Sequence, residues 1–423
     1  MARIYFFLGA QKLMKTLFVN PDAKLYRNVP PLALAYVASS LGVKIIDQNT
    51  EPEPKDRFLK EGVDILGIFA RSVSFTESKR IAEVYKKKYP QAKIKSIYTP
   101  IDVQCCYPTI QFKEQIKFTK PFGDSYSFPD FSLFDSFNVW LKHWQDGSWP
   151  YGILTSVGCP FQCIYCAARD RGWKMRSPKN CVEELKQAKE KYKIVSFEVL
   201  DDVFNVDKKR VLEFCRLVKP LGLRWICANG LRADLFDEEQ AKAMADSGCD
   251  SVCFGVESVD PKVLKGVKKG ESIEQISKAV DIANEYFINV GGFFIIGLPD
   301  STYEKDLKSV EWMVKKRIMG IFSYYVPLDA FDKLSINSEQ GRRVDKQMEY
   351  DDMFYGVEAK PQSDEYPKHL QKRIYQMVEF MQGPTTLANF FPRTISILKL
   401  VWRFDPKNLP IHLIDNIRRV LVR

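Results

Sequence analysis

The chain lacks long apolar runs, is poor in histidine and contains no second C-x-x-C pair of cysteines. No segment reaches the roughly 20 continuous apolar residues of a transmembrane helix, so the sequence predicts no membrane span. The uncharged stretch 151–168 contains Pro160, Gln162 and three cysteines, which do not suit a membrane interior. Residues 1–13 weakly resemble a signal peptide, but we expect the first strand to begin after Met14.

The number and spacing of the cysteines and histidines argue against disulfide-rich secreted domains and zinc ribbons. The ten cysteines do not form the closely spaced framework of a small disulfide-rich secreted domain. Zinc ribbons normally carry two C-x-x-C pairs, and no second pair follows here. Only three histidines occur in 423 residues, the first at His143. The sequence therefore predicts reduced cysteines and a cytoplasmic location.

The charge balance limits the partners. The formal net charge is +10, but basic residues are spread along the chain. A basic protein without a dense patch is not typical of nucleic-acid binders, so we expect no nucleic-acid partner. An amphipathic basic tail suits either packing on the rest of the protein or peripheral contact with a membrane surface. Its arginines are Arg393, Arg403, Arg418, Arg419 and Arg423.

One short segment, TSVGCPFQCIYCAARDRG, carries the strongest chemical signal. It places Cys159, Cys163 and Cys166 in a C-x-x-x-C-x-x-C spacing. A cubic [4Fe–4S] cluster is usually held by four cysteine thiolates. Three protein ligands leave one iron open, and an open metal position is where chemistry takes place. A zinc site or three buried free thiols are the alternatives.

The spacing and its surroundings resemble the radical S-adenosylmethionine (SAM) superfamily, which favours an aromatic residue before the third cysteine, here Tyr165. The resemblance covers roughly residues 155–330 and includes the stretch MRSPKNCVEELKQ. It implies that SAM chelates the open iron. The cluster would then cleave SAM reductively to a 5′-deoxyadenosyl radical, which abstracts hydrogen from a substrate.

The order of apolar runs and amphipathic stretches predicts an α/β protein. Strand–helix alternation up to residue 100 indicates a parallel sheet with helices on both faces. From Tyr151 the alternation repeats about six times, which favours a partial (β/α)6 TIM barrel with its active site at the carboxyl ends of the strands. We therefore expect a Rossmann-like domain, a connector, the barrel and a helical C-terminal region with a basic tail, at 14–125, 126–150, 151–334 and 335–423.

The N-terminal part resembles the cobalamin-binding domain that precedes the radical domain in one large subgroup. PPLALAYVASSL followed by VKIIDQN carries that resemblance. Two features depart from it. The domain contains no histidine to serve as a lower axial ligand, and KSIYTPIDVQ stands where a Gly-rich turn normally follows the fourth strand. We therefore expect a degenerate domain, in which cobalamin is possible but doubtful.

The resemblance also implies which residues bind SAM. Asp201 and Asp202, after the second barrel strand, would accept from the SAM ammonium group, with a helix cap as the alternative. Arg232 would hold the carboxylate with its guanidinium fork, unless it is a surface arginine. Contacts to the ribose or the amino-acid part, and to the adenine, are expected from Tyr165, Glu257, Ser258, Gly297 and Val326.

Three hypotheses about function remain from the sequence. The first is a radical SAM enzyme acting on a small-molecule, lipid or peptide substrate, with a flavodoxin or ferredoxin as the external electron donor. The second keeps the barrel but adds cobalamin, giving a methyltransferase. The third is a zinc-binding nucleic-acid or scaffold protein. No motif in the sequence identifies the substrate.

Overall fold

The computed structural model describes residues 14–22, 31–49, 55–70, 74–99, 114–166, 168–169, 172–325 and 390–412, with 369, 370 and 374 between them. Its contacts divide the chain into two compact units. The described part of the first unit consists of the residues up to 152 together with 187–194. The second contains 153–186, 195–325 and the described C-terminal residues.

The first unit is built on a parallel sheet with strand order β2-β1-β3-β4-β5. This order places the topological switch point, where the strand order reverses, between β1 and β3, as in doubly wound folds. The predicted Rossmann-like sheet is confirmed, with β5 as an additional edge strand. The described strands and helices are β1 (Thr16–Asn20), α1 (Leu32–Leu41), β2 (Lys44–Asp47), β3 (Ile65–Ile68), α2 (Phe75–Lys88), β4 (Lys93–Tyr98), β5 (Gln115–Lys117) and α3 (Phe137–Asp146).

Helix α1 shows how the sequence specifies this unit. Pro31 precedes its first turn, and Gly42 ends it in the left-handed conformation with φ 65°. Every residue from Leu32 to Ala38 is buried. A helix that is apolar on all sides must be covered on all sides, so α1 belongs to the core of this unit.

An aromatic cluster occupies the predicted connector. Trp140 and Trp144 on α3 are both fully buried. Phe131 lies between them, at ring-centroid distances of 5.9 and 4.8 Å. The two tryptophans are therefore core residues of this unit.

The second unit contains a six-stranded sheet with order β13-β12-β11-β10-β9-β6. The four strand pairs from β9 to β13 are parallel, which confirms the predicted partial barrel. A short antiparallel ribbon, β7–β8, was not predicted. The elements are β6 (Tyr151–Ile153), β7 (Ser156–Val157), β8 (Lys174–Met175), α4 (Pro178–Tyr192), β9 (Ser196–Val199), α5 (Lys208–Val218), β10 (Arg224–Leu231), α6 (Glu238–Asp246), β11 (Cys249–Glu257), α7 (Pro261–Gly266), α8 (Ile273–Tyr286), β12 (Asn289–Ile296), α9 (Tyr303–Lys315) and β13 (Met319–Tyr324).

Helix starts in the barrel are fixed by side-chain caps. The Asp207 side chain accepts from the backbone N–H of Arg210 at the start of α5. Ser272 and Gln275 form a capping box at α8. These local signals fix where α5 and α8 begin. Because the strands are parallel, their carboxyl ends lie at the same edge of the sheet.

The described C-terminal residues form α10 (Phe390–Phe404) and a short 3₁₀ turn, Pro406–Asn408. Trp402 on α10 is 71% exposed. The last three arginines of the predicted basic tail lie outside the described residues. Among the helices that the structure describes, none has the length and hydropathy of a bilayer-spanning segment.

Candidate active site

The three cysteines of the predicted cluster loop lie between β7 and β8. Cys163 is buried, whereas Cys159 and Cys166 are partly exposed, and all three are free thiols. The backbone N–H of Cys166 donates to the carbonyl of Cys163 at 3.1 Å, which forms a tight turn. A second backbone bond joins Ile164 to the carbonyl of Val267 at 3.1 Å. The loop is thereby held against the segment after α7.

The donor set suits a [4Fe–4S] cluster. Each thiolate of a four-iron cube binds a different corner, and cysteine thiolates are the usual ligands. The thiols of Cys159, Cys163 and Cys166 on this one loop are the groups that would hold it.

The pKa values of Cys159 and Cys163 are both raised, which disfavours the thiolate form of these two loop cysteines in the absence of metal. Burial raises the pKa of Cys159 to about 11, with smaller contributions from the two other cysteines and Asp202. Burial also raises the pKa of Cys163, although the positive charge of Lys269 opposes it. Metal binding to such thiols must release protons.

Two carboxylates after β9 hold the chain that leads into the loop. The carboxylate of Asp201 accepts from the backbone N–H of Thr155 at 2.7 Å and from the Ser156 hydroxyl at 2.6 Å. Asp202 accepts from the N–H of Gly158 at 2.7 Å. Neither caps a helix, since Asp207 caps α5. Asp201 is 2% exposed while Asp202 is partly exposed, so Asp202 is the better placed of the pair for the predicted SAM contact.

Two buried arginines, which the sequence did not single out, support the same strand end. The carbonyl of Thr155 accepts from the backbone N–H of Arg176 at 2.9 Å and from Arg210 Nη2 at 2.7 Å. Arg176 also pairs with Glu184 at 2.6 Å, and both side chains are almost fully buried. The only available signal was the basic start of MRSPKN, which does not show where its charges point.

Arg232 is not a surface residue, because it is 5% exposed. Its guanidinium fork bonds both carboxylate oxygens of Asp234 at 2.9 Å. Nη1 donates to the carbonyl of Lys269 at 2.7 Å, and the guanidinium lies 3.8 Å from the ring centroid of Phe161 in the cysteine loop. Contact with the SAM carboxylate stays a prediction, in which Asp234 would compete for the fork.

A buried ion triad lies at the end of β11. Lys269 Nζ lies 3.3 Å from Glu257 Oε1 and 3.1 Å from Glu271 Oε2. Burial lowers the pKa of Lys269, but the two acids outweigh it and the net shift is upward. Burial, with the nearby Glu257 and Cys163, raises the pKa of the Tyr165 hydroxyl. Lys269 and Glu271 were missed, since KKGES has the composition of an ordinary exposed turn.

Backbone geometry at the triad requires small or strained residues. Glu257 has φ 64°, at an irregularity in the pairing of β11 with β12. A Cβ on Gly255 would lie 2.6 Å from Lys269 Nζ and 2.8 Å from Glu257 Oε1. A side chain at position 255 would therefore displace the ion pair, so glycine is needed there.

The remaining predicted SAM residues are used locally. Ser258 is fully buried, and its hydroxyl accepts from the backbone N–H of Asp260 at 3.2 Å. Gly297 has φ 76° and donates its N–H to Asp306 Oδ2 at 3.0 Å. Val326 lies outside the described residues. These three contacts with SAM stay predictions.

An ionisable group that the sequence did not single out lies on β9. Glu198 is partly buried, and burial raises the pKa of its carboxyl group to about 7. A glutamate inside a strand gives no sequence signal of its position, because the face of the strand depends on the sheet.

A family model and several known proteins resemble this chain. Residues 153–313 match the model described as the radical SAM superfamily. An uncharacterized methyltransferase of Pyrococcus horikoshii is 35% identical over 178 residues, which are 41% of this chain and 39% of that protein. Bacteriochlorophyllide d C-12(1)-methyltransferase of Chlorobaculum tepidum is 26% identical over 269 residues, or 60% and 58% of the two chains. The chain thus spans less than two thirds of the length of these curated relatives.

Among solved structures, the radical SAM methyltransferase TsrM of Kitasatospora setae, with cobalamin and a [4Fe–4S] cluster bound, is similar in fold. Its TM-score is 0.54 at 16% identity, over 73% of this chain and 71% of that one. The comparisons confirm the predicted resemblance, the enzyme class, and a [4Fe–4S] cluster with SAM as the cofactors of the barrel. The conclusion is that residues 153–313 match the radical SAM superfamily and form a radical SAM domain.

Proposed function

We propose that this enzyme cleaves SAM reductively and uses the carbon radical to abstract hydrogen from its substrate. When bound, a [4Fe–4S] cluster with one open iron supplies the electron for that cleavage. The observation that carries the proposal is the set of three free thiols on one turn beside the buried charges of β10 and β11. Cys159, Cys163 and Cys166 would hold the cluster.

The chain's own residues orient the reactants. Asp202, partly exposed next to the loop, would accept from the SAM ammonium group. The ammonium group of Lys269, 3.3 Å from Glu257 Oε1, fixes the carboxylate of Glu257. A hydrogen-bonded, largely buried wall of this kind holds a ligand in one orientation and excludes water, as radical chemistry requires.

The test is reconstitution under anoxic conditions. We expect the protein to retain about four irons with matching sulfide, and to release 5′-deoxyadenosine when dithionite and SAM are added. A flavodoxin or ferredoxin with its reductase should replace dithionite if the expected external donor is correct. Protein that takes up zinc without sulfide, and no iron, would contradict the proposal.

Methyl transfer with cobalamin is a second candidate, favoured by the order of the first sheet. Ligands of doubly wound sheets bind at the carboxyl edge near the switch point, and Asn20 ends β1 there. Asn20 is 1% exposed, and its Oδ1 has no hydrogen-bond partner among the described residues. A buried acceptor without a donor at this edge supports a bound ligand. The relatives named as methyltransferases point the same way.

Titration with hydroxocobalamin separates the two candidates. Methyl transfer requires tight, near-stoichiometric binding with a shifted absorption spectrum, and a methylated product with SAM. The absence of histidine before His143 and of a Gly-rich turn after β4 leads us to expect weak or no binding. Stoichiometric binding would show that the N-terminal domain is not degenerate. A peripheral membrane contact through the basic tail stays a prediction.

A further inference from the structure

We propose that the concave face of the barrel sheet carries a substrate-recognition site, formed by Glu198, Ser251 and Asn289, for a cationic nitrogen on an otherwise apolar substrate. This proposal rests on the proposed radical chemistry in one respect, because the bound molecule is taken to be the substrate of that reaction. We call these three residues the carboxylate floor.

The strand register places the carboxylate floor on one face of the sheet. Glu198 on β9 pairs with Ile226 on β10, and Ile226 pairs with Ser251 on β11. Ser251 in turn pairs with Asn289 on β12. Since paired residues of neighbouring strands point to the same face, these side chains form a row across four strands.

That face is the concave one. The neighbours of Glu198 along β9, Phe197 and Val199, are both fully buried. The ring of Phe197 stacks on Trp225 at a centroid distance of 5.6 Å and lies 6.2 Å from that of Phe214 on α5. Side chains alternate along a strand, so Glu198 points away from the helix layer and into the barrel.

The charge of Glu198 has no counter-charge in the described part of the chain. No hydrogen bond or ion pair involves its carboxyl group there, and burial alone shifts its pKa. Asp250, one residue before Ser251, differs because Arg224 Nη2 binds it at 2.9 Å. A partly buried carboxylate without a partner is costly to ionise, and a bound cation would remove that cost.

The neighbouring groups also favour a ligand rich in hydrogen-bond donors. The Ser251 hydroxyl donates to Asp250 Oδ1 at 2.8 Å and accepts from Asn289 Nδ2 at 3.2 Å. Its hydroxyl hydrogen is thus already used, and its free capacity is as an acceptor. An ionised Glu198 also only accepts. An ammonium or guanidinium group has donors and no acceptor, so it is the complementary class.

The wall above the carboxylate floor is apolar. Phe293 and Ile295 follow on the same face of β12, and both are partly exposed rather than buried against other side chains. Small molecules are usually bound by apolar walls with a few placed polar groups. At about 3.3 Å per residue, the four residues from Glu198 to Asp202 correspond to about 13 Å. The cation would therefore be held well away from the reacting carbon at the strand ends.

Calorimetry on the full-length, cluster-reconstituted protein with SAM tests the carboxylate floor. The probe is hexylammonium, and the matched ligands are hexan-1-ol and hexanoate. We expect hexylammonium to bind wild-type protein more tightly than either matched ligand. Glu198→Gln keeps the shape but removes the charge, and it should weaken hexylammonium by about tenfold or more. The control Glu285→Gln, at an exposed position on α8, should bind as wild type does.

Each other outcome overturns the inference. These are equal binding of hexylammonium by Glu198→Gln and wild type, no preference for hexylammonium over hexan-1-ol, and no binding of the probe. Circular dichroism of Glu198→Gln checks that the variant is folded, and Glu198→Asp provides a second charged variant that should retain part of the affinity. Deoxyadenosine release by wild-type protein is a separate measurement, so failure of the radical chemistry and failure of the cation site are distinguishable.

Discussion

Cys163→Ala should abolish both iron retention and release of 5′-deoxyadenosine. Cys163 is the most buried of the three loop cysteines, at 8% exposure, and its Sγ lies 4.0 Å from the carbonyl oxygen of Lys269. Two remaining thiols cannot hold a cubic cluster that takes three or four. Without the cluster no electron reaches SAM, and cleavage stops. Iron and sulfide analysis together with chromatography of the reaction mixture measures both effects.

Cys215→Ala is the matched control for this variant. Cys215 lies on α5, is 2% exposed and is also a free thiol, so the substitution removes a buried sulfur of the same kind away from the loop. It should keep its iron and its deoxyadenosine release, with at most a modest loss of stability. Cys163→Ala protein that still released deoxyadenosine would refute the assignment of the loop.

Lys269→Met should destabilise the protein strongly, by about 3–5 kcal/mol, because breaking a buried ion pair leaves an uncompensated charge. Lys269 lies between Glu257 and Glu271, with side-chain exposures of 6%, 8% and 0%. Removing the ammonium group leaves Glu257 without a cation in a poorly solvated site, whereas Glu271 keeps the guanidinium of Arg232 at 3.5 Å. Methionine keeps most of the side-chain volume, so the loss reports the charge. Thermal and denaturant unfolding measure it.

Two further variants test whether the lost charge of Lys269 causes the loss of stability. Lys265→Met, at an exposed position near the end of α7, removes a lysine without breaking a buried pair and should change stability by less than about 0.5 kcal/mol. Adding Glu257→Gln to Lys269→Met should recover part of the loss, since the carboxylate left without a cation is then removed. A loss below about 1 kcal/mol in Lys269→Met, or no recovery in the double variant, would contradict a buried triad.

The predicted architecture could be obtained from local patterns. Apolar runs alternating with amphipathic stretches identified β6 and β9–β13 as barrel strands, because a strand covered on both faces must be apolar along its length. The ribbon β7–β8 and the edge strand β5 were missed. Each has only two or three residues, too few for a period to be visible.

The sequence indicated which charged residues follow the barrel strands, but it did not indicate which residues those charges contact. Asp201, Arg232 and Glu257 do end barrel strands, but Asp201 is engaged by Thr155 and Ser156. The fork of Arg232 is engaged by Asp234. The partners of Asp201 lie 46 and 45 residues earlier in the chain, so nothing local in the sequence records that contact.

The sequence by itself determined the cluster loop, since three cysteines within one turn bring their thiols together whatever the rest of the chain does. It also determined the order of strands and helices, through periodicity and caps. Only the tertiary structure decided that Lys269 and Glu271 surround Glu257, and that Glu198 points into the barrel. The reason is physical: the face of a strand and the partner of a buried charge depend on register and packing between distant segments.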